Sequence, residues 1–229
     1  MFAPGVAIRG GIPICWPWFG PHPSDPRAKA HGFARTRTWA LEDVVESNDE
    51  TRVVLSLHSD DETRALWPHE FELKLEARFG ATLDIALTTR NIGAAPFTIT
   101  EALHTYLCVS DVRSVVVDGL SGATYADKVL GHNDVQSKAL LHFAGETDSV
   151  YTTEGECVII DGAQRVRVAK RGSGSTVVWN PWIEKAARMA DFGDDEWTGM
   201  LCVEAANALD AAVTVAPGKT HTIATTIQR

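Results

Sequence analysis

The sequence predicts an all-β fold built from large antiparallel sheets that pack as a sandwich. Helical periodicity is nearly absent, whereas short runs of alternating or continuous β-branched residues recur along the chain. Turn signals rich in glycine, asparagine and aspartate separate these runs at intervals typical of antiparallel sheets. Only the segment 184–189 has the composition of a helical turn.

Each expected strand is a short apolar or alternating run between two turn signals. In chain order the runs are 53–57, 71–75, 83–87, 115–117, 158–160, 165–168 and 212–215. The chain has no internal repeat, low-complexity tract or flexible linker, so we expect one domain over residues 1–229. The opening segment 4–26 carries six prolines together with Trp16, Trp18 and Phe19. It predicts a loop that either packs under the sheets or lines a concave surface.

Composition and charge exclude several classes of function. The 30 acidic and 21 basic residues give a formal charge of −9, the wrong sign for a general nucleic-acid binder. No stretch approaches the roughly 18 apolar residues of a membrane span, and the first residues lack the pattern of a secretory signal. We therefore expect a cytoplasmic protein with no membrane or nucleic-acid partner; the oligomeric state is left open. The first 37 residues nevertheless sum to +4 and the rest of the chain to −13.

Motifs for metals and common cofactors are missing from the sequence. The four cysteines are far apart with no CxxC pair, which predicts reduced thiols. The eight histidines show no HxH or HExxH spacing, so no metal site is expected. The sequence also has no GxSxG, Walker-type or GxGxxG motif, which removes the usual support for acyl transfer or nucleotide binding.

Two arginine-containing segments are candidates for anion binding. They are Arg9-Gly10-Gly11 and the segment 31–35, which begins with His31 and ends with Arg35. Glycine lets the backbone approach a ligand closely, and arginine presents a planar fork suited to phosphate. The alternative for each is a tight turn beside a solvated arginine.

A histidine and a glutamate in two apparent strands are candidates for acid–base chemistry. His104 lies in the run 98–108, where alternation places it on a polar face with Thr98 and Thr100. Its alternative is a sheet histidine that bonds a neighbour. Glu204 lies in the mostly apolar run 200–207, where a carboxylate must be paired, solvated in a cleft or shifted in pKa. The alternative for Glu204 is a carboxylate that forms a salt bridge or lies at the end of a strand.

Four tryptophans could form a sugar-stacking platform or belong to the core. They are Trp16, Trp18, Trp179 and Trp182. His69 is a further histidine whose role the sequence leaves open between a second proton donor and a loop residue, and we favour the loop.

Several blocks, in order, resemble the hexose-6-phosphate mutarotases, the glucose-6-phosphate 1-epimerases related to aldose 1-epimerase. The blocks are RGGIPICWPWFGPH at 9–22, HGFARTRTW at 31–39, EALHTYLCV at 101–109, GLSGATYADK at 119–128, ETDSVY at 146–151, VVWNPW at 177–182 and MADFGDDEWTGMLCVEAAN at 189–207. The resemblance implies a galactose-mutarotase-like β-supersandwich. It also implies an isomerase that interconverts the α and β anomers of a hexose 6-phosphate, glucose 6-phosphate first, without a cofactor.

The resemblance assigns roles residue by residue. It implies His104 and Glu204 as the catalytic pair and Arg9 and Arg35 as contacts to phosphate and sugar. Asp148 matches a substrate-binding aspartate. The substrate-binding set further includes His31, which lies in the same block as Arg35. The local positive charge near the start then serves a dianionic substrate in an acidic protein.

Two departures from the family pattern leave alternatives open. The family has several tens of residues before its RGGIP block, so the fold is expected with or without the family's N-terminal strands. Ala30 stands where some relatives have a glutamine. The alternative functions are a noncatalytic sugar-phosphate-binding protein on the same fold and a mutarotase for unphosphorylated aldoses.

Overall fold

Alternating apolar residues form the strands of two large antiparallel sheets in the computed structural model, which describes residues 8–229. The all-β prediction is therefore confirmed. The strands are β1 Ile14–Cys15, β2 Ala40–Glu46, β3 Thr51–His58, β4 Phe71–Phe79, β5 Leu83–Asn91, β6 Phe97–Ile99, β7 Glu101–Leu103, β8 Tyr106–Cys108, β9 Val116–Asp118, β10 Thr124–Asp127, β11 His132–Val135, β12 Leu141–His142, β13 Thr147–Thr152, β14 Cys157–Asp161, β15 Gln164–Arg171, β16 Ser175–Asn180, β17 Met200–Asn207, β18 Val213–Val215 and β19 Thr220–Gln228.

Two α-helices, α1 (Asp61–Leu66) and α2 (Trp182–Arg188), interrupt the strands. Single 3₁₀ turns occur at Ala34–Thr36, Glu196–Gly199 and Leu209–Ala211. Helix α2 contains most of the predicted helical turn, whereas α1 was not predicted. Its signal is a capping box, in which Asp60 accepts from the Thr63 amide and Thr63 accepts from the Asp60 amide, rather than a periodic apolar face. No helix within 8–229 is long and apolar enough to cross a membrane.

The eight-stranded sheet has the order β1-β7-β17-β16-β13-β10-β11, and β8 also pairs with β17. The nine-stranded sheet has the order β12-β9-β14-β15-β19-β5-β4-β3-β2. Strands β6 and β18 form a separate pair. The facing sides of the two large sheets bury the core, with one apolar cluster around Val178, Val203 and Ile159 and another around Leu73, Leu87 and Leu103.

The predicted single strand over 98–108 is wrong. The segment divides into β6, β7 and β8, and the break between the last two strands falls at His104 and Thr105. The backbone amide of His104 donates to the Pro13 carbonyl at 3.1 Å, and that of Tyr106 donates to the Gly11 carbonyl at 2.9 Å. The opening segment therefore stays hydrogen-bonded to the chain beyond β1, along the edge of β7 and β8 that faces away from β17.

The predicted loop over 4–26 contributes to the core in its described part; residues 4–7 lie outside the described residues. Trp16 is fully buried, and its ring lies edge-on to Phe33 and Trp67. Its indole N–H donates to Thr89 Oγ1 at 3.1 Å on β5. This tryptophan joins the opening segment to the nine-stranded sheet, and β1, which was not predicted, joins the same segment to β7.

We predict that Trp16→Ala lowers the free energy of unfolding by about 3–5 kcal/mol, because it removes a large buried ring and leaves Thr89 without its donor. Chemical denaturation of both proteins measures the difference. Leu41→Ala is the control, since Leu41 is 63% exposed on edge strand β2 and its truncation should change stability by less than about 0.5 kcal/mol. Equal losses in the two variants would contradict the assignment of Trp16 to the core.

Candidate functional site

His104 and Glu204 lie side by side on one face of the eight-stranded sheet. Strand β17 pairs with β7 through Ala205 and Leu103 and with β8 through Cys202 and Tyr106, and the same register places Glu204 opposite His104. The two side chains meet there, with His104 Nδ1 3.4 Å from Glu204 Oε1. The break between β7 and β8 thus falls beside the glutamate.

Both groups are buried with almost no other polar contact. His104 is 7% exposed and Glu204 1% exposed. Among the described residues neither carboxyl oxygen of Glu204 has a hydrogen-bond partner, and neither does His104 Nδ1. An unpartnered buried carboxyl group costs free energy, so a structure that keeps one is usually using it.

Burial decides the protonation state of this pair. It raises the pKa of Glu204 well above its ordinary range, and the Asp148 carboxylate adds to the shift. Burial also lowers the pKa of His104 to about 3, with a contribution from the neighbouring His31 ring. Burial therefore favours a protonated carboxyl group facing a neutral imidazole over a pair of opposite charges.

A cavity of about 210 Å³ opens over the pair. Its lining residues are Arg9, Phe19, His31, His104, Lys128, Asp148, Val177, Trp179, Lys185, Met189 and Glu204. Five of the six predicted site residues thus line one cavity. Larger clefts occur elsewhere, including one of about 480 Å³ beside Trp18 and Arg37, but among the residues that line it none is a buried acid–base pair.

A tight turn brings His31 into the cavity. His31 and Gly32 both have positive φ, 66° and 67°. A Cβ atom on Gly32 would lie 1.9 Å from the Trp16 carbonyl oxygen, so only glycine fits this approach. His31 Nδ1 accepts from the Gly20 amide at 3.3 Å, and burial lowers the pKa of the ring to about 3. Neutral His31 therefore carries its proton on Nε2, where it can donate to a hydroxyl group.

Asp148 enters the cavity from β13, in register with Trp179 of β16. Its carboxylate lies 3.4 Å from Lys128 Nζ and 3.9 Å from Lys185 Nζ. Lys185 also bonds Glu146 at 2.8 Å. The lysines hold the aspartate at the cavity wall, where it can accept a hydrogen bond from a bound hydroxyl group.

The two predicted phosphate ligands occupy different positions. Arg9 lines the cavity and donates from Nε to Asp191 at 2.9 Å. Arg35 is not part of the lining, although its charge is near enough to lower the pKa of His31 and His104. Its guanidinium donates to the Ala30 carbonyl, and it has no carboxylate within 4 Å in the described chain. Arg35 is therefore a cation without an acidic partner near the site.

One of the four candidate tryptophans lines the cavity. The ring of Trp179 lies 5.9 Å from the His104 ring in an edge-on arrangement. Trp16 and Trp18 belong to the core, and Trp182 packs on Trp197. A stacking surface for a sugar can therefore involve Trp179 alone of this set.

His69 lies outside the cavity lining, in the loop between α1 and β4, where its ring packs on Trp67 and Phe97.

Lys128 and Lys185 are site residues that the sequence analysis did not select. Lys128 follows β10 and Lys185 lies on α2, so no spacing in the sequence connects either of them to Asp148. Only the register of β10, β13 and β16 brings these segments together.

The assembled site offers one proton between two buried groups, hydrogen-bonding groups for hydroxyls, and cations for an anion. It suits general acid–base chemistry on a small polar molecule. A metal ion has one candidate position within 8–229, where His104, Cys202 and Glu204 each offer a ligand atom within 4.8 Å of the others.

Comparisons with known proteins identify the family of the chain. A profile of the aldose 1-epimerase family matches residues 1–228. A Cenchrus ciliaris protein provisionally named glucose-6-phosphate 1-epimerase is 40% identical over 233 residues, which is 96% of this chain and 69% of that protein. The crystal structure of YeaD from Salmonella typhimurium, provisionally described as a mutarotase, superposes with a TM-score of 0.92 at 34% identity, covering 100% of this chain and 76% of that one.

A more distant structure bears on the fold alone. A galactose mutarotase related enzyme from Lactobacillus acidophilus superposes with a TM-score of 0.75 at 12% identity, covering 95% of this chain and 82% of that one. The expected galactose-mutarotase-like supersandwich is therefore confirmed. From the family profile and the close relatives we conclude that the chain belongs to the aldose 1-epimerase family.

Proposed function

We propose that this protein, acting as one domain, interconverts the α and β anomers of a hexose 6-phosphate, with glucose 6-phosphate as the first choice. Its relatives are named for that activity. The observation that carries the proposal is the His104–Glu204 pair, buried on the floor of a cavity whose wall carries Arg9, Lys128 and Lys185. Anomer exchange needs one group to take a proton while another gives one, and a carboxyl group beside an imidazole can fill both roles.

Ring opening transfers two protons. Glu204 as a carboxylate takes the proton from the C1 hydroxyl, and His104 as an imidazolium gives a proton to the ring oxygen O5. The C1–O5 bond breaks and C1 becomes an aldehyde. Rotation about C1–C2 exposes the other face of the carbonyl. Closure reverses both proton transfers and yields the other anomer.

The protonation states that burial favours are consistent with this cycle. Opening leaves the proton on Glu204 and a neutral His104, which is the form that burial favours without substrate. The form needed to open the ring arises when the proton moves from the carboxyl group to the imidazole across the 3.4 Å contact. Hydrogen bonds from the sugar to the carboxylate and the imidazolium offset the free-energy cost of burying these two charges. The pair thus alternates between two states that contain the same number of protons.

The polar groups around the pair would hold the substrate. Arg9 and Arg35 would bind the 6-phosphate, with Arg35 the cation that lacks a carboxylate partner among residues 8–229. His31 and Asp148 would bind ring hydroxyls. Three cations in the wall favour a phosphorylated sugar over a neutral aldose, because a neutral sugar has no charge for them to bind. A protein that only bound the sugar would gain nothing from the unpartnered acid–base pair.

We predict that Glu204→Gln and His104→Asn each lower kcat for anomer exchange of glucose 6-phosphate by about 10²–10⁴-fold, because each removes one proton-transfer group. Magnetisation-transfer NMR measures the exchange rate after subtraction of the spontaneous rate. Glu101→Gln is the matched control, a buried carboxyl group in the same sheet that pairs with His221 outside the cavity, and it should leave kcat within about threefold. Full activity in Glu204→Gln would exclude the carboxyl group as the proton acceptor.

We predict that Arg9→Met and Arg35→Met each raise KM for glucose 6-phosphate by about 10–100-fold, the worth of a charge-assisted hydrogen bond, with little change in kcat. The rate with unphosphorylated glucose should change less than about threefold. Arg78→Met is the control, since Arg78 pairs with Glu76 on the nine-stranded sheet. Equal losses with glucose and with glucose 6-phosphate would argue against phosphate binding and for a neutral aldose.

The lowered pKa of His31 and of His104, each to about 3, predicts that both rings stay neutral between about pH 5 and pH 8 in the free protein. The unfolded chain takes up protons on these residues near pH 6.5, so the free energy of unfolding should fall as the pH drops below about 6.5. Ring ¹⁵N shifts, assigned with the His31→Asn and His104→Asn variants, report the protonation. A midpoint near pH 6.5 for His104 would refute the buried neutral state.

A further inference from the structure

Cys202 lies beside the acid–base pair and has no part in the proposed reaction. It is two residues before Glu204 on β17, so the two side chains leave the strand on the same face. One ligand atom from each of His104, Cys202 and Glu204 lies within 4.8 Å of the other two. A nitrogen, a sulfur and an oxygen therefore converge under the cavity.

The atoms in this cluster lack partners. His104 Nδ1 and both oxygens of Glu204 have no hydrogen bond to any described residue, and the two residues are 7% and 1% exposed. Buried polar atoms without partners are rare, because each one costs free energy. A cation bound between the three side chains would use these atoms as ligands.

The donor set selects the kind of cation. Zinc binds imidazole nitrogen, thiolate sulfur and carboxylate oxygen, and sites with three protein ligands leave a fourth position open. Two tetrahedral zinc ligands at bond lengths near 2.0 Å are about 3.3 Å apart, close to the 3.4 Å between His104 Nδ1 and Glu204 Oε1. Mg²⁺ and Ca²⁺ prefer oxygen ligands alone, so a thiolate disfavours them.

The charges also suit a divalent ion. Burial raises the pKa of both Cys202 and Glu204, so a bound ion would displace a proton from each. The resulting thiolate and carboxylate neutralise a 2+ ion, so the occupied cluster would be neutral in a buried place. Arg9, Lys128 and Asp148 line the cavity above it, and His104 and Glu204 themselves line its floor. An ion can therefore reach His104 and Glu204 from the cavity, with Cys202 buried beneath them.

We propose that His104, Cys202 and Glu204 bind a thiophilic divalent cation of the Zn²⁺ and Cd²⁺ class, and that the bound ion blocks anomer exchange by occupying both proton-transfer groups. The binding site stands on the geometry alone, whereas the inhibition rests on the proposed function. The ligands come from β17 and from the break between β7 and β8, about 100 positions apart in the chain. Histidine and cysteine spacing in the sequence therefore does not indicate the site.

Cadmium binding to the whole chain tests the site directly. Cd²⁺ should bind the wild-type protein with one ion per chain and an ultraviolet thiolate-to-cadmium charge-transfer band. Cys202→Ser and Cys202→Ala should each lose the band and bind Cd²⁺ at least about tenfold more weakly. Cys108→Ser and Cys157→Ser are the controls, one an exposed and one a buried free thiol elsewhere, and both should keep the band.

His104→Asn and Glu204→Gln keep the thiol and remove one of the other ligands, so they test the site even where a Cys202 variant fails to fold. Each should weaken Cd²⁺ binding at least about tenfold in protein with wild-type circular dichroism. A charge-transfer band that persists in Cys202→Ser, or wild-type affinity in both ligand variants, would overturn the proposal.

Zinc inhibition tests the second part. Saturating Zn²⁺ should slow anomer exchange at least about tenfold in wild type and in Cys108→Ser. The rate should recover when a chelator is added. In Cys202→Ser, the same inhibition should need at least about tenfold more Zn²⁺. If Cd²⁺ binds but saturating Zn²⁺ does not change the rate of anomer exchange, the inhibitory role is overturned and the metal-binding site still stands. A protein without any exchange activity would refute the proposed function, while the cadmium experiment would still decide the site.

Discussion

The burial of a glutamate carboxyl group in the middle of an apolar strand is the constraint around which this site is organised. All eight residues of β17 are buried, and Glu204 is the one acidic residue among them. Removing a carboxylate from water without partners is costly, so the group keeps a proton, and the facing imidazole stays neutral for the same reason. A carboxyl group and an imidazole side by side provide the proton acceptor and the proton donor that reversible opening of a sugar ring requires.

The sheet architecture places the other groups around that pair. The opening segment hydrogen-bonds to the β7–β8 region through the Pro13 and Gly11 carbonyls, while Trp16 fixes the same segment to the nine-stranded sheet. The turn at Gly32 brings His31 against the cavity, and the register of β13 with β16 places Asp148 beside Trp179. Cations from separate segments pair with Asp191, Asp148 and Glu146 around the cavity. Arg35 has no carboxylate partner among the described residues, which leaves its charge for an anionic substrate.

Much of the fold was predictable, because period-two alternation is a local property that β3, β4, β5, β14 and β15 carry in their own sequences. The break at His104 was not, since residues 98–108 contain no glycine, proline, asparagine or aspartate to mark it. Helix α1 was not predicted, because the sequence marks it with a capping box at its N-terminus rather than with a periodic apolar face.

For the site, isolated residues left every alternative open, and the assignments of His104, Glu204, Arg9, Arg35, Asp148 and His31 came from the family resemblance. Lys128 and Lys185 had no signal, because only strand register connects them to Asp148.

The central claim is that His104 and Glu204 work as one unit, and a double-mutant cycle tests it most directly. Anomer exchange of glucose 6-phosphate would be measured by NMR for wild type, Glu204→Gln, His104→Asn and the double variant. Groups that act together lose most of their effect with the first substitution, so the double variant should be no more than about threefold slower than the slower single variant. If the fold-reductions in exchange rate of the two single variants multiply in the double variant, the two groups act independently and the account is contradicted.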